Sequence, residues 1–364
     1  MKARLVLKLT NKEKKYMNNN HLIIMAGGVG SRFWPMSTPE KPKQFIDVMG
    51  IGKTMIQLTV ERFAGIISPD HVWIVTSKKY KDIVMQQLPE VPETQILMEP
   101  IMRNTAPCIE YVSRKIYARY PDANLVFSPA DHLVLDVPHF QEVIKESLDY
   151  TKNHDVIVTL GMMPTRPETG YGYIKSVDAN SKEKIQKVEA FKEKPNLETA
   201  KKYLADGGYY WNAGIFIWNV KTVVNTIAKL VPDLAAVFDK IEPHFYKNDE
   251  QDVVDELFPT CPNISIDYAV MEKSKDVFVY PASFGWSDIG TWGSLYTHIP
   301  YDASKNALIG ENIQMVESKD CIVRSYGRKK VIVQGLDNYI VVDDNNCLLI
   351  CKMQDEQLIK EWQK

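Results

Sequence analysis

The stretch "IIMAGGVGSRFWPMSTPEKPKQF", Ile23 to Phe45, begins as an apolar run of β type and turns into a loop with three glycines. Three prolines, Pro35, Pro39 and Pro42, then stiffen it. Open α/β sheets present their ligand sites in this way, in loops beyond the carboxyl ends of strands. The N–H groups of Gly27, Gly28 and Gly30 can cradle phosphates there. Two common phosphate motifs do not fit. The G-x-G-x-x-G pattern counted from Gly28 needs glycine where Phe33 stands, and a G-x-x-x-x-G-K-T pattern ending at Thr54 needs glycine where Asp47 stands.

Outward from this loop the chain alternates. "HVWIVTS" (from His71), "TQILMEP", "NLVFSPADH" and "DVIVTLGM" are continuous apolar strands, and Met55 to Phe63, Tyr80 to Gln87 and Ala106 to Arg119 are helical stretches between them. Strands of this kind alternating with helices predict a mainly parallel mixed sheet covered on both faces, a Rossmann-like α/β domain. Beyond about Tyr301, "CIVRSYGRKKVIVQGLDNYIVVDDNNCLLICK" is a succession of short strands divided by Gly, Asn and Asp turns, a small β-rich C-terminal domain. The expected divisions are a disordered N-terminal extension over 1–20, the main domain over 21–300 and the β-rich domain over 301–364.

Composition narrows the function. With 45% apolar and 25% charged residues the chain is an ordinary globular protein, and its net charge of −2 gives no support to a nucleic-acid binder that works through a basic field. The longest apolar run, Gly207 to Val220, is interrupted by Asn212 and Asn219 and is too short to span a membrane. The five cysteines contain no C-x-x-C pair and read as buried thiols of a reducing cytoplasm. The first 16 residues carry six Lys/Arg against one Glu, and Lys8 interrupts their apolar part, so they do not form a secretory signal. Translation from Met17, or a disordered arm, is the expectation for this piece.

Eight stretches in order carry a family resemblance: "AGGVGSRFWPMSTPEKPKQF", "EPIMRNTAP" (Glu99 to Pro107), "PADH" (Pro129 to His132), "RPETGYGYI" (Arg166 to Ile174), "FKEKP" (Phe191 to Pro195), "YWNAGIFIW" (Tyr210 to Trp218), "SIDYAVMEK" (Ser265 to Lys273) and "WSDIGTW" (Trp286 to Trp292). Together they resemble the sugar-nucleotide pyrophosphorylases, in the form of the bacterial mannose-1-phosphate guanylyltransferases. The resemblance covers roughly Leu22 to Trp292, and the β-rich end more loosely. Long bacterial relatives continue into a phosphomannose isomerase domain; this chain stops at Lys364, so a short form without that activity is expected.

The resemblance implies GTP and mannose 1-phosphate as substrates, GDP-mannose and pyrophosphate as products, and Mg²⁺ as cofactor. Such phosphoryl chemistry needs positioning and charge neutralisation, with no protein nucleophile. Gly27, Gly28, Gly30 and Ser31 would wrap the triphosphate, Arg32 would neutralise the departing pyrophosphate, and Lys43 would reach the α-phosphate. Asp131 and Asp288 would hold Mg²⁺, which takes one or two carboxylates and completes its shell with phosphates and waters. Glu99 would accept the paired donors of guanine. Arg103, Asn104 and Thr105 would meet phosphate or ribose, with helix capping the alternative for Asn104 and Thr105. Gly170, Tyr171, Gly172, Glu193, Asn212 and Gly214 would line the hexose, and Lys194 would hold its phosphate. A homodimer through the β-rich end is the expected assembly, with neither nucleic acid nor membrane as partner. Two alternatives stand beside this: a guanylyltransferase for a heptose or another hexose phosphate, and a non-catalytic regulator that binds sugar nucleotides.

Overall fold

A computed structural model describes residues 19–28, 30–178, 181–327, 329–344 and 347–363. Residues 1–18 of the expected N-terminal extension lie outside the described residues. The chain divides into two compact units that are not consecutive stretches. Of the described residues, the first takes those up to Gly27, Val60–Pro129 and Val134–Trp286, and the second takes Gly28–Thr59, Ala130–Leu133 and those from Ser287.

The first unit is built on a nine-stranded sheet. Its strands are β1 (Asn20–Met25), β2 (Val72–Ser77), β3 (Ile96–Glu99), β4 (Asn124–Pro129), β5 (Ile157–Met162), β6 (Tyr173–Ser176), β7 (Gln186–Lys192), β8 (Tyr209–Asn219) and β9 (Val277–Ala282). They lie in the order β3-β2-β1-β4-β8-β5-β9-β7-β6, and β8 also pairs with β6. The half β3-β2-β1-β4 is parallel, and β8 enters antiparallel to both β4 and β5. This is the mixed α/β sheet that the alternating pattern predicts. β1, β2 and β4 are buried along nearly their whole length, as strands covered on both faces must be.

Helix α1 (Thr105–Tyr117) is buried through most of its length, so its polar residues need partners. Arg114 supplies one set, donating to Glu110 at 2.7 Å, Asp239 at 2.9 Å and Glu242 at 2.8 Å. The core of this unit runs from Ile23, Val75 and Phe127 to Trp218, Phe238 and Phe258.

The second unit stacks short strands in parallel: β10 (Ala307–Ile309), β11 (Ile313–Val316), β12 (Ile322–Ser325), β13 (Val331–Gln334) and β14 (Tyr339–Asp344), closed by antiparallel β15 (Cys347–Lys352). The registers Ala307↔Ile322 and Ile322↔Ile340 place successive coils over one another. The segment from Gly28 packs on them: Phe33, Met36, Ile46, Val48 and Met55 share a core with Ile289, Trp292, Ile322 and Ile340. Arg324, almost wholly buried, donates to the carbonyls of Val48 (2.6 Å) and Asp47. All five cysteines are free thiols. No helix among the described residues is long and apolar enough to cross a membrane.

Candidate functional site

In the second unit Gly30 makes room for a lysine. Gly30 has φ +62°, and a Cβ there would stand 2.6 Å from the Cβ of Lys43. Glycine is therefore required twice over, by its left-handed backbone and by the close approach. The loop is tied to itself by Ser37 Oγ donating to the Gly30 carbonyl (2.6 Å) and Gln44 Nε2 to the Gly28 carbonyl (2.8 Å). The side chain of Ser31 lies outside the described residues.

Lys43 is only 3% exposed, and a buried ammonium must be paired. Its Nζ donates to Asp131 Oδ2 at 3.1 Å and to the Asp288 carbonyl oxygen at 2.5 Å, and lies 5.6 Å from the centre of the Phe33 ring. Desolvation pushes the Asp131 carboxyl toward its neutral form. The Lys43 ammonium, then His132 and the hydrogen bonds, outweigh it, so the pKa of Asp131 falls below its ordinary value. His132 stands 3.7 Å from Asp131 Oδ1. Asp288 Oδ1 accepts from the Gly290 N–H (3.1 Å). A Cβ on Gly290 would meet Asp288 Oδ2 at 2.9 Å and Arg32 Nη1 at 3.2 Å, so the aspartate and the exposed arginine flank one glycine.

Both aspartates thus converge on Lys43, which brings Arg32, Lys43, Asp131 and Asp288 into one cluster. An ionised, one-third exposed Asp131 and the oxygen atoms of Asp288 are hard donors that suit Mg²⁺. Among the described residues no three His, Cys, Asp or Glu gather as a complete metal cage. The donor set therefore fits a metal whose remaining ligands are phosphate and water.

In the first unit, Glu99 ends β3 with its side chain buried. Its Oε1 has no hydrogen-bond partner, and its Oε2 lies 3.9 Å from where a Cβ on Gly27 would be. Burial raises the Glu99 pKa to about 8, against a hydrogen bond from the Cys108 thiol that lowers it. Arg103 donates to the Pro259 carbonyl. Asn104, at φ +68°, caps α1 by accepting from the Thr105 N–H, and the Thr105 hydroxyl accepts from Ile266 N–H at 2.8 Å. These polar atoms of Asn104 and Thr105 hold the helix start in place, the alternative weighed for both.

A second cluster of the same unit gathers the residues expected around the hexose. A Cβ on Gly172 would stand 2.5 Å from Glu193 Oε2, so only glycine leaves that carboxylate its place. The Gly172 carbonyl accepts from Asn212 N–H (2.8 Å). Asn212 Oδ1 accepts from Gly214 N–H (3.0 Å) and the Thr159 hydroxyl (3.2 Å). Lys194, at φ +44°, pairs with Glu193 Oε1 at 2.8 Å and is 60% exposed. Tyr171 packs edge-on against Trp211 and Trp286, and Gly170 N–H donates to Glu168.

Sequence reasoning passed over Asp267, whose Oδ1 accepts from Asn212 Nδ2 at 3.1 Å, and over Cys108 beside Glu99. Asp267 lay within the quoted "SIDYAVMEK", but nothing local distinguishes its carboxylate from a helix cap.

A mixed α/β sheet in the first unit and, within the second, a glycine loop whose lysine is paired with an aspartate carboxylate are features suited to phosphoryl transfer between nucleotides and small acceptors. Residues 21–305 match the family model described as nucleotidyl transferase, and the chain belongs to that family. Its relatives narrow the kind. A mannose-1-phosphate guanylyltransferase of Escherichia coli K12 is 34% identical over 355 residues, covering 92% of this chain and 73% of the relative. The alginate biosynthesis protein AlgA of Pseudomonas syringae pv. tomato is 36% identical, covering 93% and 70%. A solved structure from Thermus thermophilus, described as a mannose-1-phosphate geranyltransferase, superposes with a TM-score of 0.85 at 27% identity, over 94% of this chain and 98% of that one. The resemblance carried by the eight ordered stretches therefore holds across nearly the whole chain.

Proposed function

We infer that the protein makes GDP-mannose and pyrophosphate from GTP and α-D-mannose 1-phosphate. The observation that carries the choice of nucleotide is Glu99, a buried carboxyl with one oxygen unpartnered. An unsatisfied buried acceptor is costly, and the N1–H and amino group of guanine are the adjacent donor pair that a carboxylate satisfies. Adenine offers no such pair.

An oxygen of the sugar phosphate attacks the α-phosphorus of GTP in line. The bond from that phosphorus to the bridging oxygen breaks, and pyrophosphate leaves with the electron pair. Lys43 neutralises charge on the α-phosphate, a role its ammonium takes up by exchanging the Asp131 carboxylate for phosphate oxygens. Arg32 neutralises the leaving pyrophosphate, and the N–H groups of Gly27, Gly28 and Gly30 line the triphosphate. Asp131 and Asp288 would hold Mg²⁺, which would supply Lewis-acid polarisation of the phosphoryl oxygens when bound. Glu193 and the backbone of Gly170 and Gly172 hold the hexose, and Lys194 holds its phosphate.

Pyrophosphate release measured over GTP, ATP and dTTP, each with mannose, glucose and heptose 1-phosphates in Mg²⁺, tests this reading. Turnover should be highest with GTP and mannose 1-phosphate. Highest turnover with another pair would reassign the substrates, and binding without release would make the protein a regulator.

A further inference from the structure

Asp267 opens a five-residue π-turn, Asp267–Met271. Such turns are rare and concentrate at functional sites. Its backbone is pinned from outside, by Ile266 N–H on the Thr105 hydroxyl (2.8 Å) and Ala106 N–H on the Ile264 carbonyl (3.2 Å). Its side chain is pinned by Asn212, whose amide orientation is settled by its neighbours. The carbonyl oxygen of that amide takes two donors, Gly214 N–H and Thr159 Oγ–H, so the NH₂ group is the side that faces Asp267.

The hydrogen bond from Asn212 does not itself require a charge at Asp267. A neutral acceptor would satisfy Asn212 as well. A carboxylate is instead desolvated and set within the field of a second one, Glu193, and together they raise its pKa to about 6. Lys194 is the cation that faces both, pairing with Glu193 at 2.8 Å and lowering Asp267 in turn. Two carboxylates against one ammonium leave an excess of acceptors, and each carboxylate has about four lone-pair sites. Asp267 already uses its own for Asn212, Ser265 and its own backbone N–H. A hexose ring offers hydroxyl donors on adjacent carbons, which two neighbouring carboxylates can accept.

We propose that Asp267 is a specificity-determining, sugar-binding residue whose carboxylate accepts a hydrogen bond from one hexose hydroxyl while Glu193 accepts from another. The proposal rests on the reading of Glu193 and its neighbours as the hexose site. Asn212 is then a positioning residue, turning the aspartate rather than the sugar.

The test compares wild type, Asp267→Asn and Glu193→Gln on mannose 1-phosphate and its 2-, 3-, 4- and 6-deoxy analogues, with melting temperature and KM for GTP as controls. Asp267→Asn should lower kcat/KM for mannose 1-phosphate by about 10- to 100-fold and leave KM for GTP within about twofold. One deoxy analogue should lose a similar factor on wild type and lose nothing further on Asp267→Asn, the signature of a direct contact. Asp267→Ser, which keeps an oxygen for Asn212, is read on the same panel should Asp267→Asn not fold. Losses in Asp267→Asn that multiply with every deoxy loss would make the role structural and overturn the proposal. If Glu193→Gln couples to a hydroxyl and Asp267→Asn to none, the proposal falls and the hexose site stands. If neither variant couples to any hydroxyl, the hexose site itself falls.

Discussion

The ammonium of Lys43 lies 3.1 Å from the carboxylate of Asp131, a residue 88 positions away along the chain. One nearly buried cation thereby holds the loop of the glycine stretch to the strand end expected to carry metal. Lys43→Met should lower kcat by at least about 100-fold, or roughly 2.7 kcal/mol of transition-state stabilisation. It should also change acid stability. Because Lys43 depresses the Asp131 pKa below 3.8, the pair stabilises the fold above that value and loses this contribution as pH falls through the depressed one. Melting curves from pH 6 to pH 3 should therefore converge for wild type and Lys43→Met at the acid end. A gap that is the same at every pH would show that the pair is not what stabilises.

Metal binding gives the second expectation. Asp131→Asn and Asp288→Asn should each reduce kcat by about 100-fold or more, and the double variant should be little worse than the worse single one, since groups acting as a unit are not additive. Titrating Mg²⁺ should restore part of each single loss. Two losses that multiply and ignore Mg²⁺ would separate the aspartates into independent roles.

Glu99 predicts a proton linkage. With its pKa raised to about 8, the folded protein holds a proton there that the unfolded chain releases near 4.5. Protons bound in excess by the native state make stability fall as pH rises between those values and level off above about 8. Glu99→Gln should remove that slope. Since guanine needs the carboxylate, GTP binding should release a proton below pH 8 and tighten as pH rises toward it. Glu99→Gln should raise KM for GTP about tenfold or more, from a lost charge-assisted pair of about 1.5–3 kcal/mol. Calorimetry in buffers of different ionisation enthalpy reads the proton directly, and identical heats in all of them would refute the linkage.

Gly30→Ala should combine strain with displacement. A non-glycine residue at φ +62° costs on the order of 1–2 kcal/mol, and its Cβ would meet that of Lys43 at 2.6 Å. Turnover should therefore fall by more than the loss of melting temperature accounts for. Gly52→Ala, also at positive φ but with open space around it, should lower stability and leave turnover nearly intact.

Much of the sheet was legible because its strands are continuous apolar runs bounded by turns, as in Val72–Ser77 and Asn124–Pro129, whose burial is nearly complete. Glu99, Lys43 and Asp131 were legible as residues because each sits in a short ordered stretch. Their pairings were not. The contacts Lys43–Asp288, 245 positions apart, and Asn212–Asp267, 55 apart, are made by the fold and leave no spacing to read. Asn104 shows the limit from the other side. Its cap on α1 is made at a positive φ, which the string "RNTAP" permits without announcing.

The second unit draws Phe33, Met36, Ile46 and Val48 into one core with Trp292, Ile322 and Ile340. The C-terminal strands are therefore not a detachable cassette. A chimera that exchanged only the chain after Ser287 with a relative would inherit half of a fitted interior and mismatch the other half. Exchanging Gly28–Thr59 and Ala130–Leu133 along with it would move the whole packing set together. In this protein recombination has to respect all of these boundaries at once, and the lysine travels with the coils that support it.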